Sequence, residues 1–184
     1  GVALSDCQTG EIDLSRYALN YVSNLSLTIG DGDDIFIPAR NVTAAANVSF
    51  RTFQPPAGDR SAHLRTQIAL GSWGTVNPSF GIGKRFSRQF ACVAMAEYTY
   101  SNNNYPFTVY NVDLVTRERR NNSRMNAGHI ETNAVYDFND RHSLFGKIYY
   151  YDNDRQLPGI VHYYTDENNE TLRERNAFVQ LQYR

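Results

Sequence analysis

Residues 129–150 read HIETNAVYDFNDRHSLFGKIYY, and this stretch decides the fold. From Ile130 to Phe138 every second side chain is apolar or small, and three of the four residues between them are Asn or acids. The same alternation resumes from Leu144 to Tyr150, after a short polar segment at 138–142. A period of two is typical of a strand with one apolar face and one polar face. The stretch therefore predicts two antiparallel strands joined by a tight turn.

The alternation extends outward in both directions. It predicts six strands after residue 61, at about 62–72, 76–86, 90–100, 130–138, 144–150 and 177–183. Several of them span about 11 or more residues, whereas strands of soluble proteins have a mode of about 5–6. Tilted strands of about 9–11 residues are the length that a bilayer requires of a barrel. The prediction is an all-β fold: a partial antiparallel transmembrane β-barrel of about six strands.

The connections between these strands are alternately short and long. Segments 86–90 and 138–142 are tight turns, while 102–122 and 152–173 are long, polar and rich in Asn and Tyr. Transmembrane barrels have short periplasmic turns and long outer loops. Aromatic side chains near both strand ends suit the two girdles at the membrane interfaces. The predicted girdle residues are Trp73, Phe86, Phe90, Tyr98, Tyr100, Phe138, Tyr150 and Tyr183.

Composition excludes several other classes of protein. Basic and acidic residues number 18 and 19, so the net charge of −1 gives no reason to expect a nucleic-acid partner. Aromatic residues make up 13% although the mean hydropathy is −0.52, as expected of strands with one polar face. No run approaches the roughly 18 apolar residues of a spanning helix. Cys7 and Cys92 are too few for a disulfide framework or a usual metal cluster.

The first 61 residues have a mixed pattern. Asn20–Gly30 predicts a strand that ends in a turn, and Asn47–Thr52 predicts a second extended segment. The paired prolines within 54–59 mark the clearest boundary in the chain, because proline cannot continue a strand ladder. We therefore divide the chain into residues 1–52, a linker at 53–61, and the barrel strands at 62–184.

Several segments resemble the TonB-dependent receptors of bacterial outer membranes, in particular those of the Bacteroidetes type. Asn20–Gly30 and the small-residue run that ends in Arg51-Thr52 resemble the end of that family's plug domain, with alanines where the family usually has paired glycines. Trp73-Gly74-Thr75, residues 119–123 and Gln156-Leu157-Pro158-Gly159 resemble early barrel features.

The resemblance implies an outer-membrane receptor that imports a scarce ligand, such as a siderophore, cobalamin, a glycan or a peptide, with energy passed from TonB. It implies a complete barrel of about 22 strands around a plug. The expected partners are outer-membrane lipid, the ligand, and TonB through a segment outside these 184 residues. About sixteen strands and the front of the plug would also lie outside them, so these residues alone are not expected to transport.

Candidate binding residues fall into two groups. Aromatic residues of the long loops either capture ligand or pack the loops together: Tyr105, Phe107, Tyr110, Tyr163 and Tyr164. Polar residues predicted to face the lumen are Arg65, Glu97, His129, Glu131 and Lys147, and a wet barrel interior explains them without a ligand. The run at 117–120 is expected to be a solvated loop face.

We expect no enzyme, cofactor or bound metal. No Ser/His/Asp order, paired-carboxylate pocket or phosphate loop is recognisable in the sequence. The acidic turn at 31–34 lacks the spacing and closing Glu of a calcium loop, which favours a solvated turn.

Two other structures would also give alternating strands. One is a soluble β-sandwich that binds carbohydrate or mediates adhesion, with its apolar side chains buried between two sheets. The other is a small complete barrel of about eight strands, which would need two more strands from residues 1–61.

Overall fold

The computed structural model describes residue 17 and residues 22–29, 46–52, 55, 60–111, 113–160 and 168–184, with only the backbone of 46–51 and 111. These residues form ten strands: β1 (Val22–Ile29), β2 (Ala46–Thr52), β3 (Ala62–Gly71), β4 (Thr75–Arg85), β5 (Phe90–Ser101), β6 (Pro106–Asn111), β7 (Leu114–Arg119), β8 (Met125–Asn139), β9 (His142–Gln156) and β10 (Thr171–Tyr183). The described residues contain no helix with the length and hydropathy needed to cross a bilayer.

Six of the strands form one antiparallel sheet in the order β3-β4-β5-β8-β9-β10. Each pair of neighbours is consecutive in the chain except β5 and β8, between which β6 and β7 form a separate two-stranded sheet. β1 and β2 pair only with each other among the described strands. The all-β antiparallel prediction is confirmed, and the sheet is open, with β3 and β10 as its two edges.

The sequence prediction was wrong about the extent of the loops. Within 102–122 the chain forms the β6–β7 hairpin, which was not predicted. β9 continues to Gln156 and β10 begins at Thr171, so these two strands enter the segment 152–173, which was predicted to be a loop. The extensions have polar residues on both faces, and a period of two in hydropathy cannot detect such a strand.

Short-range hydrogen bonds hold the two tight turns. The Ser87 hydroxyl accepts bonds from the amides of Gln89 and Phe90, at 3.2 and 2.9 Å. The Asn139 side chain accepts from the amides of Arg141 and His142, at 2.9 and 3.0 Å. Side-chain oxygens of Ser and Asn commonly bind the backbone two or three residues ahead in this way. Phe90 pairs with Tyr136 and the Asp137 amide donates to the Gln89 carbonyl at 2.7 Å, so both turns lie at the same end of the sheet.

At the opposite end, β3 turns into β4 through a single 3-10 turn at Ser72–Gly74. Trp73 and Gly74 both have positive φ, 57° and 73°, and the Trp73 carbonyl accepts from the Asn102 amide at 3.2 Å. An ideal Cβ on Gly74 would lie 2.8 Å from the Asn102 side-chain nitrogen. Both conformation and space therefore favour glycine at position 74.

The two faces of the sheet differ in both chemistry and exposure. Among the described residues, the buried set contains nine polar or charged residues and only six hydrophobic ones. The apolar residues of the other face are exposed, as Leu64 (64%), Ile148 (58%) and Val179 (68%) illustrate. Soluble domains bury apolar side chains in preference to polar ones. Here the sheet has the reverse arrangement.

Candidate functional site on the polar face of the sheet

Glu131 lies at the centre of the polar face, on β8, and its side chain is only 5% exposed. Its Oε1 atom accepts from the Lys147 ammonium at 2.8 Å and from the Asn133 amide at 2.7 Å. Lys147 lies on β9 opposite Asn133, so strand register brings the two donors together. His129 lies on the other side, with Nε2 3.8 Å from Glu131 Oε2.

A third donor comes from the N-terminal part of the chain. The Thr52 hydroxyl, at the end of β2, donates to Glu131 Oε1 at 2.9 Å across 79 residues of sequence. An ammonium, an amide and a hydroxyl thus converge on one carboxylate oxygen. A buried carboxylate is stable only when it is paired and hydrogen-bonded in this way. The hydrogen bond from Thr52 therefore attaches the end of β2 to the six-stranded sheet.

Two further contacts join the N-terminal part to the same face. The Tyr17 ring lies 5.4 Å from that of Tyr149, which in turn stacks on Phe178 at 4.7 Å. The Arg85 guanidinium donates to the Pro55 carbonyl at 3.4 Å. Tyr149 and Phe178 lie on the face that carries Glu131, because they follow it in register across β9 and β10. The described N-terminal residues therefore contact the sheet through its polar face.

The five residues predicted to face the lumen share one face of the sheet. Glu97 pairs with His129 across β5 and β8, and Ser79 opposite Glu97 continues the row into β4. Arg65 lies on the same face, because its partner Gly81 pairs with Met95, which lies opposite Glu131. The structure brings His129, Glu131 and Lys147 into contact, while Glu97 accepts instead from Asn77 at 3.2 Å.

No family model and no curated protein matches this sequence.

Several contributors to the site were not singled out in the sequence. In the sequence, Thr52 is only the last residue of the small-residue run, and Asn133 is only one of several polar residues of its strand. The period of two placed Asn133 on the correct face, but no pattern in sequence indicates that residues 52 and 131 meet. Among the described residues, no group of three or more His, Cys, Asp or Glu is placed to hold a metal ion.

Six of the predicted girdle residues lie near the strand ends on the apolar side, and Trp73 lies in the turn between β3 and β4. The placement of Tyr150 at a strand end was wrong, because β9 continues to Gln156 and leaves Tyr150 in the middle of that strand. At the end with the tight turns, ring contacts link Phe86 to Phe90 at 5.5 Å, Phe90 to Tyr136 at 6.5 Å and Tyr136 to Phe138 at 4.9 Å. Tyr136 was not in the predicted set. Tyr183 stacks on His142 at the same end.

Near the opposite end lie Tyr98 and Tyr100, while Tyr150 lies closer to the middle of the sheet, opposite Ile130. The Tyr98 and Tyr150 hydroxyls donate to Asn126 and Asp152, both at 3.1 Å. Each ring therefore has an apolar body and a polar tip with a partner, as expected near a water interface.

The loop aromatics divide into two groups. The Trp73 and Tyr105 rings meet edge to face at 6.1 Å, and the Tyr105 and Phe107 rings lie 6.4 Å apart. Trp73, predicted as a girdle residue, therefore contacts the loop aromatics. Tyr110 is 73% exposed near the tip of the β6–β7 hairpin. Tyr163, Tyr164 and the acidic turn at 31–34 lie outside the described residues.

Proposed function

We propose that this chain is the end of the plug and the first six barrel strands of a TonB-dependent receptor, which imports a scarce ligand across the bacterial outer membrane. The observation that carries the proposal is the inverted sheet: its apolar face is open, and its polar face receives the N-terminal segment. A plug inside a barrel needs both features, because lipid surrounds the barrel and the lumen is polar.

The spacing of the aromatic rows fits a membrane. Phe90 and Tyr100 lie on the same side of β5 at its two ends. The ten residue steps from Phe90 to Tyr100 extend about 33 Å along a strand, at roughly 3.3 Å per residue. At a tilt of about 40° this corresponds to about 25 Å in height, which equals the apolar band of outer-membrane barrels.

The charges in the middle of the sheet also follow that division, while Asp152, Arg173 and Arg175 lie on the apolar side only towards the strand ends away from the tight turns. Glu131 and Lys147 point to the polar side, whereas Lys84 is the charge on the apolar side of β4. Lys84 lies 5.7 Å from the Phe86 ring, at the end with the tight turns. A lysine so placed can extend its ammonium to the interface.

Neither rival accounts for the sheet equally well. A β-sandwich would bury the apolar face against a second sheet, but no described strand packs on that face, and its Leu, Ile and Val side chains remain exposed. A complete eight-stranded barrel would need β1 and β2 in the main sheet, whereas these strands form a sheet of their own.

Lipid-phase quenching tests the membrane part of the proposal. In a background with Cys7→Ser and Cys92→Ala, a bimane dye is attached either at Val179→Cys or at Gln180→Cys, neighbours on opposite faces of β10. In vesicles that contain lipids with nitroxide-labelled acyl chains, we expect quenching at 179 and little at 180. Equal quenching at both positions, or a chain that remains in water without detergent, would exclude the barrel.

Growth experiments test the transport part. A strain that lacks the gene should lose energy-dependent uptake of one scarce nutrient among iron chelates, cobalamin, glycans and peptides, and a protonophore should abolish that uptake in the parent. Unchanged uptake of all four classes would contradict the receptor assignment, even if the chain lies in the membrane.

A further inference from the structure

The Arg120 guanidinium is the buried group that the fold explains least. Arg120 follows β7 and is 7% exposed, although a solvated loop face was expected there. Its Nη2 atom donates to the Gly159 carbonyl, while Nε and Nη1 are buried without a hydrogen-bond partner. No carboxylate of the described residues forms an ion pair with it. A buried charge normally has a counterion, so this guanidinium has unused capacity for an anion.

The surroundings of Arg120 are aromatic. The guanidinium carbon lies 5.7 Å from the centre of the Phe107 ring, and the Arg120 amide donates to the Tyr105 carbonyl at 2.9 Å. Tyr105 contacts Phe107 on one side and Trp73 on the other. One cation with free N–H groups therefore lies beside a row of three rings. Such a combination suits a ligand that has both a negative group and a flat apolar body.

We propose that Arg120, Phe107 and Tyr105 form a ligand site for an organic anion, with a carboxylate held by the Arg120 guanidinium and an aromatic or similarly flat body against the rings. This inference rests on the proposed function, since it specifies the class of ligand that the outer loops of the receptor recognise. The planar guanidinium presents five N–H donors and matches a carboxylate in a bidentate geometry.

The β6–β7 hairpin controls access to this site. Phe107 belongs to the hairpin and Gly159 to the loop after β9, and together they cover the guanidinium in this structure. The hairpin forms a sheet of its own, separate from the six-stranded sheet. Isolated two-stranded hairpins are marginally stable, so the hairpin can move aside at low cost. When the hairpin moves away from Gly159, Arg120 and the rings of the site move with it, and the anion takes the bond that Gly159 now accepts.

Trp73 provides a reporter, since it is the only tryptophan in the chain and contacts Tyr105. The chain is titrated in detergent micelles with sodium benzoate or with benzamide, its uncharged analogue, at constant ionic strength. We expect a saturable change in Trp73 fluorescence with benzoate only. Arg120→Gln should weaken benzoate binding at least about tenfold, because a charge-assisted pair is lost. Arg119→Gln, at the adjacent exposed position, should change it less than about twofold.

Two outcomes would overturn the site: an equal response to benzamide, or undiminished benzoate binding by Arg120→Gln. If circular dichroism shows that Arg120→Gln does not fold, benzoate binding is measured with Arg120→Lys instead. The lysine ammonium cannot make the bidentate contact of a guanidinium, so unchanged benzoate affinity in that variant also refutes the site. Lipid quenching at 179 is independent of Arg120. If benzoate does not bind, the membrane assignment therefore still stands. If a water-soluble chain binds benzoate, the ligand site stands and the receptor proposal does not.

Discussion

At the scale of single residues, the Glu131–Lys147 pair offers the clearest prediction about stability. Their side chains are 5% and 13% exposed, so replacing Lys147 leaves a buried carboxylate without its cation. Losing one partner of a buried pair typically costs about 3–5 kcal/mol. We expect Lys147→Met to lower the free energy of unfolding in urea by about 3 kcal/mol or more, and Glu131→Gln added to it to restore part of that loss.

The matched control for that pair is Arg173→Met. Arg173 bonds to Asp152 at 3.4 Å, with side chains 58% and 25% exposed, and exposed pairs contribute about 0–1 kcal/mol. If Lys147→Met and Arg173→Met lose the same stability, the Glu131–Lys147 pair contributes no more than an exposed ion pair.

Two glycines should respond in opposite directions to alanine. A Cβ on Gly128 would meet nothing within 4 Å, whereas Gly74 has φ +73° and Asn102 close by. We expect Gly128→Ala to raise the free energy of unfolding by roughly 0.5–1 kcal/mol, through lower entropy of the unfolded chain, and Gly74→Ala to reduce it by more than that. Urea midpoints of the two variants check this; the same sign for both would mean that the backbone at 74 relaxes.

At the scale of elements, the β6–β7 hairpin should be dispensable for the main sheet. β5 and β8 pair directly from Phe90 opposite Tyr136 to Ser101 opposite Met125. The Ser123 hydroxyl binds the carbonyls of residues 102 and 103 at 3.1 Å and closes the base of the loop without the hairpin. Removing residues 105–120 should therefore shift the free energy of unfolding by only about 1 kcal/mol, because loop length has a weak effect.

That deletion has a second expected result. Circular dichroism should retain the strand signal of the six-stranded sheet, while the benzoate response of Trp73 disappears with Arg120. A sheet that melts without the hairpin would show that β6 and β7 support β5 and β8 through contacts beyond their own pairing.

The same elements show how far sequence predicts this fold. Alternation located all six strands of the main sheet, because in each strand the chemistry of the two faces differs. It missed β6–β7, where Thr108, Tyr110 and Arg117 give no clean apolar face. It also ended β9 too early, since Asp152 and its partner Arg175 hold the ladder by a 2.6 Å ion pair and not by apolar contact.

The candidate site was predictable only in part. The period of two placed His129, Glu131 and Lys147 on one face, and register then made their contact inevitable. Thr52 and Tyr17 reach that face from far away in the chain, and nothing in the local pattern encodes such a meeting. Arg120 was assigned to solvent because a run of charges is usually exposed, and only the fold of the loops buries it.

At the scale of the whole molecule, the apolar face of the inverted sheet suits either water or lipid, and it cannot suit both. Exposed Leu, Ile, Val and Phe side chains on one face form a continuous apolar surface. In water such a surface drives association. In a bilayer it removes the need for any covering layer, and the polar face with its buried ion pair becomes the interior.

A single charge on the apolar face distinguishes these environments. Ile148 lies midway along the sheet, opposite Thr132 on β8 and Val179 on β10, and is 58% exposed. In lipid vesicles, Ile148→Lys should lower the free energy of unfolding by about 2–4 kcal/mol, the usual effect of a lysine at the centre of a bilayer. Gln180→Lys, on the polar face of β10, should change it little. For an aqueous sheet the difference disappears: an exposed lysine at 148, like one at 180, changes stability by less than about 0.5 kcal/mol, and it improves solubility. The size of the difference between the two lysine variants therefore decides whether lipid or water meets the apolar face.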